Sequence, residues 1–143
     1  MNQKVNRTAV QKMGLISRLA WEYARDKIDT DGLSSVQQKV CIAILNEPGL
    51  SQDDVAKELG MDKSSIAKLI ARLMAGGYVT RETNQMDRRE YKLYLDTRGE
   101  KITKELVKRL EEFQEKYIGV IADGLIENIN GTLETVLENI SAE

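Results

Sequence analysis

A mainly α-helical fold carrying one small β-hairpin is predicted by three features of this 143-residue chain. Two capped helices follow one another across a glycine turn between residues 51 and 75. Two short alternating strands come next, separated by a polar loop, residues 84–89, that holds Asp87, Arg88 and Arg89. Long apolar-periodic segments flank this device on both sides. The fold class is therefore mainly α with a small β-hairpin wing, a winged helix-turn-helix with N- and C-terminal dimerisation helices.

Each element has a local cause. Ala9, Met13, Ile16, Ala20, Tyr23 and Ile28 recur at three- and four-residue spacing, which predicts an amphipathic helix over about 6–28. Residues 29–32 end it. Ser34 with Gln37 forms a capping box for a second helix, whose Val36, Val40, Cys41, Ile44 and Leu45 face inward and which Pro48-Gly49 stop. Ser51 caps the third helix, with Val55, Ala56 and Leu59 buried, and Gly60 makes the turn. Asp62 caps the fourth, which buries Ile66, Leu69, Ile70 and Leu73 and ends at Gly76-Gly77. Strands are predicted at 78–83 and 90–95, the second pointing Tyr91, Leu93 and Leu95 inward and Lys92 and Tyr94 outward. Asp96 opens a long helix whose Ile102, Leu106, Leu110, Phe113, Tyr117 and Ile121 approach a coiled-coil seam, with Gly124 breaking or bending it. A last amphipathic segment from Leu125 to Ile140 is expected to be interrupted around Asn130-Gly131.

The chain reads as a single domain over 1–143. Its winged helix-turn-helix region spans 33–98 with the preceding helix included, and dimerisation helices occupy 1–32 and 99–143. The flanking stripes carry more apolar residues than the winged core can cover, and 41% hydrophobic content is low for a chain that buries everything within itself. A second copy across a two-fold axis, or an intramolecular bundle, would cover them.

Composition narrows the function. The single Cys41 forbids an intrachain disulfide and suits a reducing cytosol. With 0 histidines and one thiol, the common catalytic triads, a Cys-His pair and an ordinary zinc site are out of reach, so no enzyme, no metal and no cofactor is expected. No apolar run approaches a membrane span and no signal core is seen, which predicts a cytoplasmic protein without a membrane partner.

Net charge is −2, yet its distribution is uneven. From Asp62 to Leu95 the cations Lys63, Lys68, Arg72, Arg81, Arg88, Arg89 and Lys92 outnumber the anions Asp62, Glu82, Asp87 and Glu90, whereas the tail from Gly99 onward is net negative. A DNA-facing surface has this signature, and so do ordinary solvated helix faces. Double-stranded DNA is the expected partner of Lys63, Ser64, Ser65, Lys68 and Arg72 on the fourth helix, and of Arg88 and Arg89 in the wing. The serines are short donors near free amides that also suit a plain helix start. Arg72 reaches either DNA or an acid of the wing. An Asp87–Arg89 ion pair would orient the guanidinium, making Asp87 a wing-orienting residue.

At this point the chain resembles the multiple-antibiotic-resistance regulators, the MarR family. The likeness runs over nearly its whole length, through Leu33-Ser34 with Gln37 and Val40, Leu50-Ser51-Gln52 to Leu59, Asp62 to Ile66, Gly77-Tyr78-Val79, and Asp87-Arg88-Arg89 followed by Leu93, Leu95 and Gly99. The resemblance implies a homodimer built from the terminal helices that represses, or occasionally activates, transcription at a palindromic operator. It places Arg89 in the minor groove, and it implies a small phenolic, lipophilic or oxidising effector. Cys41 sits on a buried stripe where relatives commonly have leucine, and the N-terminus lacks the reactive cysteine of peroxide-sensing members. Trp21, Tyr23 and Tyr117 suit core, interface or an effector pocket, so the ligand residues stay unknown. The rival reading is a winged-helix dimer that has lost DNA binding and docks a protein, as an antirepressor does.

Overall fold

The computed structural model describes residues 6–143, so the first five residues of the expected 1–32 segment lie outside the described residues. Eight elements and one π-helical turn form two compact units, one of residues 29–107 and the other of the two chain ends.

In the unit of residues 29–107, helices α2 (Ser35–Asn46), α3 (Gln52–Leu59) and α4 (Lys63–Ala75) precede strands β1 (Val79–Thr83) and β2 (Tyr91–Leu95). Ser34 and Ser51 each close a reciprocal capping box, with Gln37 and Asp54 respectively, so both helices start where the hydroxyl can take an otherwise unpaired amide. Gly60 at φ 61° provides the left-handed residue between α3 and α4. The end of α4 is a Schellman turn, with the Tyr78 amide donating to the Leu73 carbonyl at 2.9 Å and the Gly77 amide to Met74 at 3.1 Å. One core unites these helices with the hairpin: Val40, Ile44, Val55, Ile66, Ile70, Leu73, Val79 and Leu93 are buried in it. The strands are antiparallel, with Val79 opposite Leu95 and Thr83 opposite Tyr91. On the other edge of β2, Leu93 exchanges hydrogen bonds with Gly49 and Leu50 at 2.8 and 2.9 Å, which anchors the hairpin to the α2–α3 connection.

Facing in the hairpin differs from the alternation expected. Tyr91 is exposed and Tyr94 is half-buried, with its hydroxyl oxygen 3.3 Å from where a Cβ on Gly49 would stand. The far end of β2 projects beyond the core, so only its base has an inside. Sequence reading also passed over Gln38, buried with its amide donating to the Leu33 carbonyl at 2.8 Å.

Helix α5 (Thr97–Gln114) begins in this unit and ends in the other. The second unit holds α1 (Ala9–Asp26), the end of α5, the π-helical turn Glu115–Gly119, and α6 (Leu125–Ser141). Helix α1 starts later than residue 6 because Thr8 and Gln11 form a capping box of their own. The predicted seam does not run through to Ile121, since the α-helix gives way after Gln114 to a wider turn and Gly124, at φ 72°, opens α6. Helix α6 passes through Asn130-Gly131 without the expected interruption. An isolated interior glycine costs only about 1 kcal/mol against alanine, too little to break a helix of this length.

Much of the apolar surface of this second unit is uncovered: Val10, Val120, Ile121, Leu137 and Ile140 are all exposed. An open apolar groove of about 1210 Å³ runs along it, lined by Met13, Ile16, Tyr23, Phe113, Tyr117 and Ile129 among others. Tyr23, Phe113 and Tyr117 pack edge-on and tilted, with centroids 4.8 to 6.4 Å apart. Trp21 is half-buried and does not line the groove.

Candidate nucleic-acid interface

Helix α4 presents its start and one face to solvent. Its first turn is organised by Asp62, whose carboxylate accepts the Ser65 amide at 2.9 Å, the Ser65 hydroxyl at 2.6 Å and the Ser64 hydroxyl at 2.7 Å. These donors, the Ser65 hydroxyl foremost and then that of Ser64, hold the Asp62 carboxyl well below the usual carboxylate range. The two serines, expected as donors toward DNA, thus have their protons engaged by the cap. A donor role on DNA requires those hydroxyls to rotate away from Asp62.

Lys63 is exposed and pairs with Asp53 of α3 at 3.0 Å, an exposed contact that contributes little and is easily exchanged for a phosphate. Lys68 and Arg72 stand exposed on the outer face of α4. Among the described residues neither forms an ion pair, so the alternative of Arg72 bound to a wing acid is not what the structure adopts.

The wing is held by two side-chain turns. Asn84 Oδ1 accepts the Met86 amide at 3.0 Å, and Asp87 Oδ1 accepts the Arg89 amide at 3.0 Å. The expected Asp87–Arg89 ion pair is therefore corrected: the carboxylate takes the backbone of Arg89, and its guanidinium is left unpaired among the described residues. Competition explains the outcome, because a fixed amide two residues away costs less side-chain entropy than a mobile guanidinium. Arg88 and Arg89 are both exposed. Arg89 borders a polar groove of about 300 Å³ between the wing and the start of α3, shared with Ser51, Gln52, Asp53, Glu90 and Tyr91.

Two features of the hairpin escaped sequence reading. The Arg81 guanidinium lies 4.2 Å from the Tyr91 ring centroid, which stiffens the hairpin and keeps a further cation on it. The diagonal pairing of β1 with β2 carries that signal, and it is visible only once the register is known. Met86, 95% exposed, tips the loop, and an apolar residue in a polar turn was its signal.

Cys41 lies apart from all of this. Burial pushes its thiol up to about 11, against a weaker opposing hydrogen bond with Thr103, so it stays protonated and acts as a small core residue. Among the described residues no cluster of metal-ligating side chains is formed, and no helix is long and apolar enough to cross a membrane.

A helix-turn-helix followed by a cationic hairpin gives the winged-helix arrangement. Residues 42–90 match the MarR family. A protein of Thauera aromatica, named as a transcriptional regulatory protein for the hcr operon, is 35% identical over 78 residues, which are 54% of this chain and 47% of that one. The chain thus spans about half the length of that relative. The solved structure of a MarR transcriptional regulator from Methanosarcina mazei Go1 is 28% identical with a TM-score of 0.75, covering 91% of this chain and 94% of its own. The PcaV transcriptional regulator of Streptomyces coelicolor, solved with its natural ligand, has the same fold at a TM-score of 0.66 and 23% identity, over 94% and 91% of the two chains. The match over residues 42–90 and the shared fold agree with the fold class and the MarR-family resemblance read from the residues.

Proposed function

We propose that this chain is a sequence-specific DNA-binding regulator of transcription that works as a cytoplasmic homodimer, represses from a palindromic operator, and is no enzyme. The observation that carries the reading is the set of exposed cations without ion-pair partners, Lys68 and Arg72 on α4 and Arg88 and Arg89 on the wing, among the described residues. Lys63, Ser64 and Ser65 complete the proposed contact set, with Asp87 shaping the wing. The exposed apolar residues of the second unit supply the subunit contact, and a two-fold axis sets the recognition helices about 34 to 36 Å apart. In this reading the single-domain organisation stands, with 33–98 reading DNA and the 1–32 and 99–143 segments pairing subunits. A small phenolic or lipophilic effector occupies the aromatic end of the groove near Tyr23, Phe113 and Tyr117 and shifts the balance between two dimer geometries.

Selection of bound sequences from a random duplex pool tests the reading, with a palindromic consensus expected. Binding should weaken with salt at a log-log slope near −0.9 per phosphate neutralised. Arg89→Ala should cost about 1 to 3 kcal/mol of operator affinity without loss of fold. Unchanged affinity in that variant removes the wing from the mechanism.

One observation favours the second reading, a protein-docking winged helix. Asp53 and Asp62 stand at the start of α3 and α4 and hold Lys63 and the serine protons, placing negative charge where phosphate would lie. Titration with random duplex at low salt separates the two readings, because a docking module shows little affinity there.

A further inference from the structure

The chain enters the winged unit at residue 29 and leaves it after residue 107. Just past the entry, Asp31 adopts φ 56°, a left-handed backbone that residues bearing a Cβ seldom take. Asp29 Oδ1 supports it by accepting the Asp31 amide at 2.8 Å. The Asp31 carboxylate then meets two side chains from far along the sequence. The Tyr78 hydroxyl donates to Oδ2 at 2.5 Å, and the Arg98 guanidinium donates to the same oxygen. Arg98 also lies 4.8 Å from the Tyr78 ring centroid and donates through Nη1 to the Gly76 carbonyl at 3.2 Å. Gly76 is the C-cap of α4, so a cation there satisfies a helix-end carbonyl and meets the negative end of its dipole. The backbone repeats the link, because the Tyr78 carbonyl accepts the Asp96 amide at 2.9 Å while the Tyr78 amide closes the last turn of α4.

We propose that Asp31, Tyr78 and Arg98 form a clamp fixing the C-terminal end of α4 to the segments by which the chain enters and leaves the winged unit, and that all three are positioning residues for DNA recognition. The proposal rests on the DNA-binding reading above. Helix α4 is 13 residues long, about 20 Å, so a tilt of about 5° moves its far end by about 2 Å. That exceeds what a hydrogen bond to a base edge tolerates. Asp62 sets one end of the helix and the clamp sets the other. Because Asp31 and Arg98 are partly exposed, the clamp contributes direction more than stability.

The test compares the wild type with Tyr78→Phe, Asp31→Asn, Arg98→Gln, the double variant of the last two, and the charge-keeping Arg98→Lys. Affinity for the selected operator and for random duplex is measured across a salt series, and amide exchange at Gly77 and Tyr78 is followed in the free protein. Each single variant is expected to lose roughly tenfold in operator affinity, with random-duplex affinity and salt slope as in the wild type. The double variant should be no worse than either single one, since the pair acts as a unit. Gly77 and Tyr78 amides should exchange several-fold faster, with Arg98→Lys restoring part of both effects. Full operator affinity in all variants overturns the proposal. So does a salt slope lowered only in Arg98→Gln, which would make Arg98 a phosphate contact. Failure of the wild type to bind any duplex would sink the DNA-binding reading instead, and unaltered exchange at the end of α4 would then also dispose of the clamp.

Discussion

Asp87 accepts the Arg89 amide and leaves the guanidinium to solvent, an arrangement that separates the shape of the wing from its charge. An amide oxygen can do the same job as the carboxylate. Asp87→Asn is therefore expected to keep operator affinity within about twofold, and Asp87→Ala to lose several-fold, in a titration on the selected operator. Equal losses in both would point back to an ion pair. Asp62 makes a prediction of its own. Its carboxyl is held down in the folded state by the hydroxyls of Ser65 and Ser64, so the stabilisation is complete above the ordinary carboxylate range and fades as pH falls through the lowered folded value. Melting temperatures recorded from pH 6 downward should fall more steeply for the wild type than for Asp62→Asn, and parallel curves would remove Asp62 from the acid limb. At this scale the sequence was readable for residue type and unreadable for partner. Lys63 and Ser64 stand exposed at the helix start with Ser65 half-buried beside them, yet the pairing of Lys63 with Asp53 joins residues ten apart on two helices, which no local pattern announces.

Helix starts were legible because caps are local. Ser34, Ser51 and Asp62 each satisfy an amide three residues on, and the spacing alone reveals it. Thr8 with Gln11 carried the same signal for α1. The helix interior is harder to read, and two glycines show why. Gly131 lies exposed in mid-helix with nothing within 4 Å of an added Cβ, so Gly131→Ala should raise stability by about 0.5 to 1 kcal/mol in denaturant melts. A Cβ on Gly99 would stand 2.2 Å from the Tyr78 carbonyl oxygen, a backbone atom that cannot swing aside. Gly99→Ala should destabilise by about 1 to 3 kcal/mol or unfold the winged unit, as judged by the same melts. Substitutions with equal melting behaviour would contradict both assignments. One residue type thus has opposite consequences at two sites, and only the approach of Tyr78, between α4 and β1, to the start of α5 tells them apart.

For the whole molecule, the proposed dimer depends on the exposed apolar residues of the second unit. Leu137 is 57% exposed and Ile140 66%, so a charge at either meets water in a lone chain and meets apolar surface in a dimer. Leu137→Asp should give a monomer in sedimentation with unchanged helix content and operator affinity lowered at least a hundredfold, since two half-sites no longer bind together. A dimer that survives this change places the subunit contact elsewhere. The order of elements, the caps, the apolar stripes and the cationic hairpin were determined by the sequence alone, because each depends on neighbours within a turn or two. Tertiary structure alone decided where Asp31, Tyr78 and Arg98 meet, which way Tyr91 and Tyr94 face, and where α5 yields to a wider turn. The clamp and the seat of Tyr94 against Gly49 turn on contacts between residues tens of positions apart, and periodicity carries no record of which distant groups a fold brings within reach.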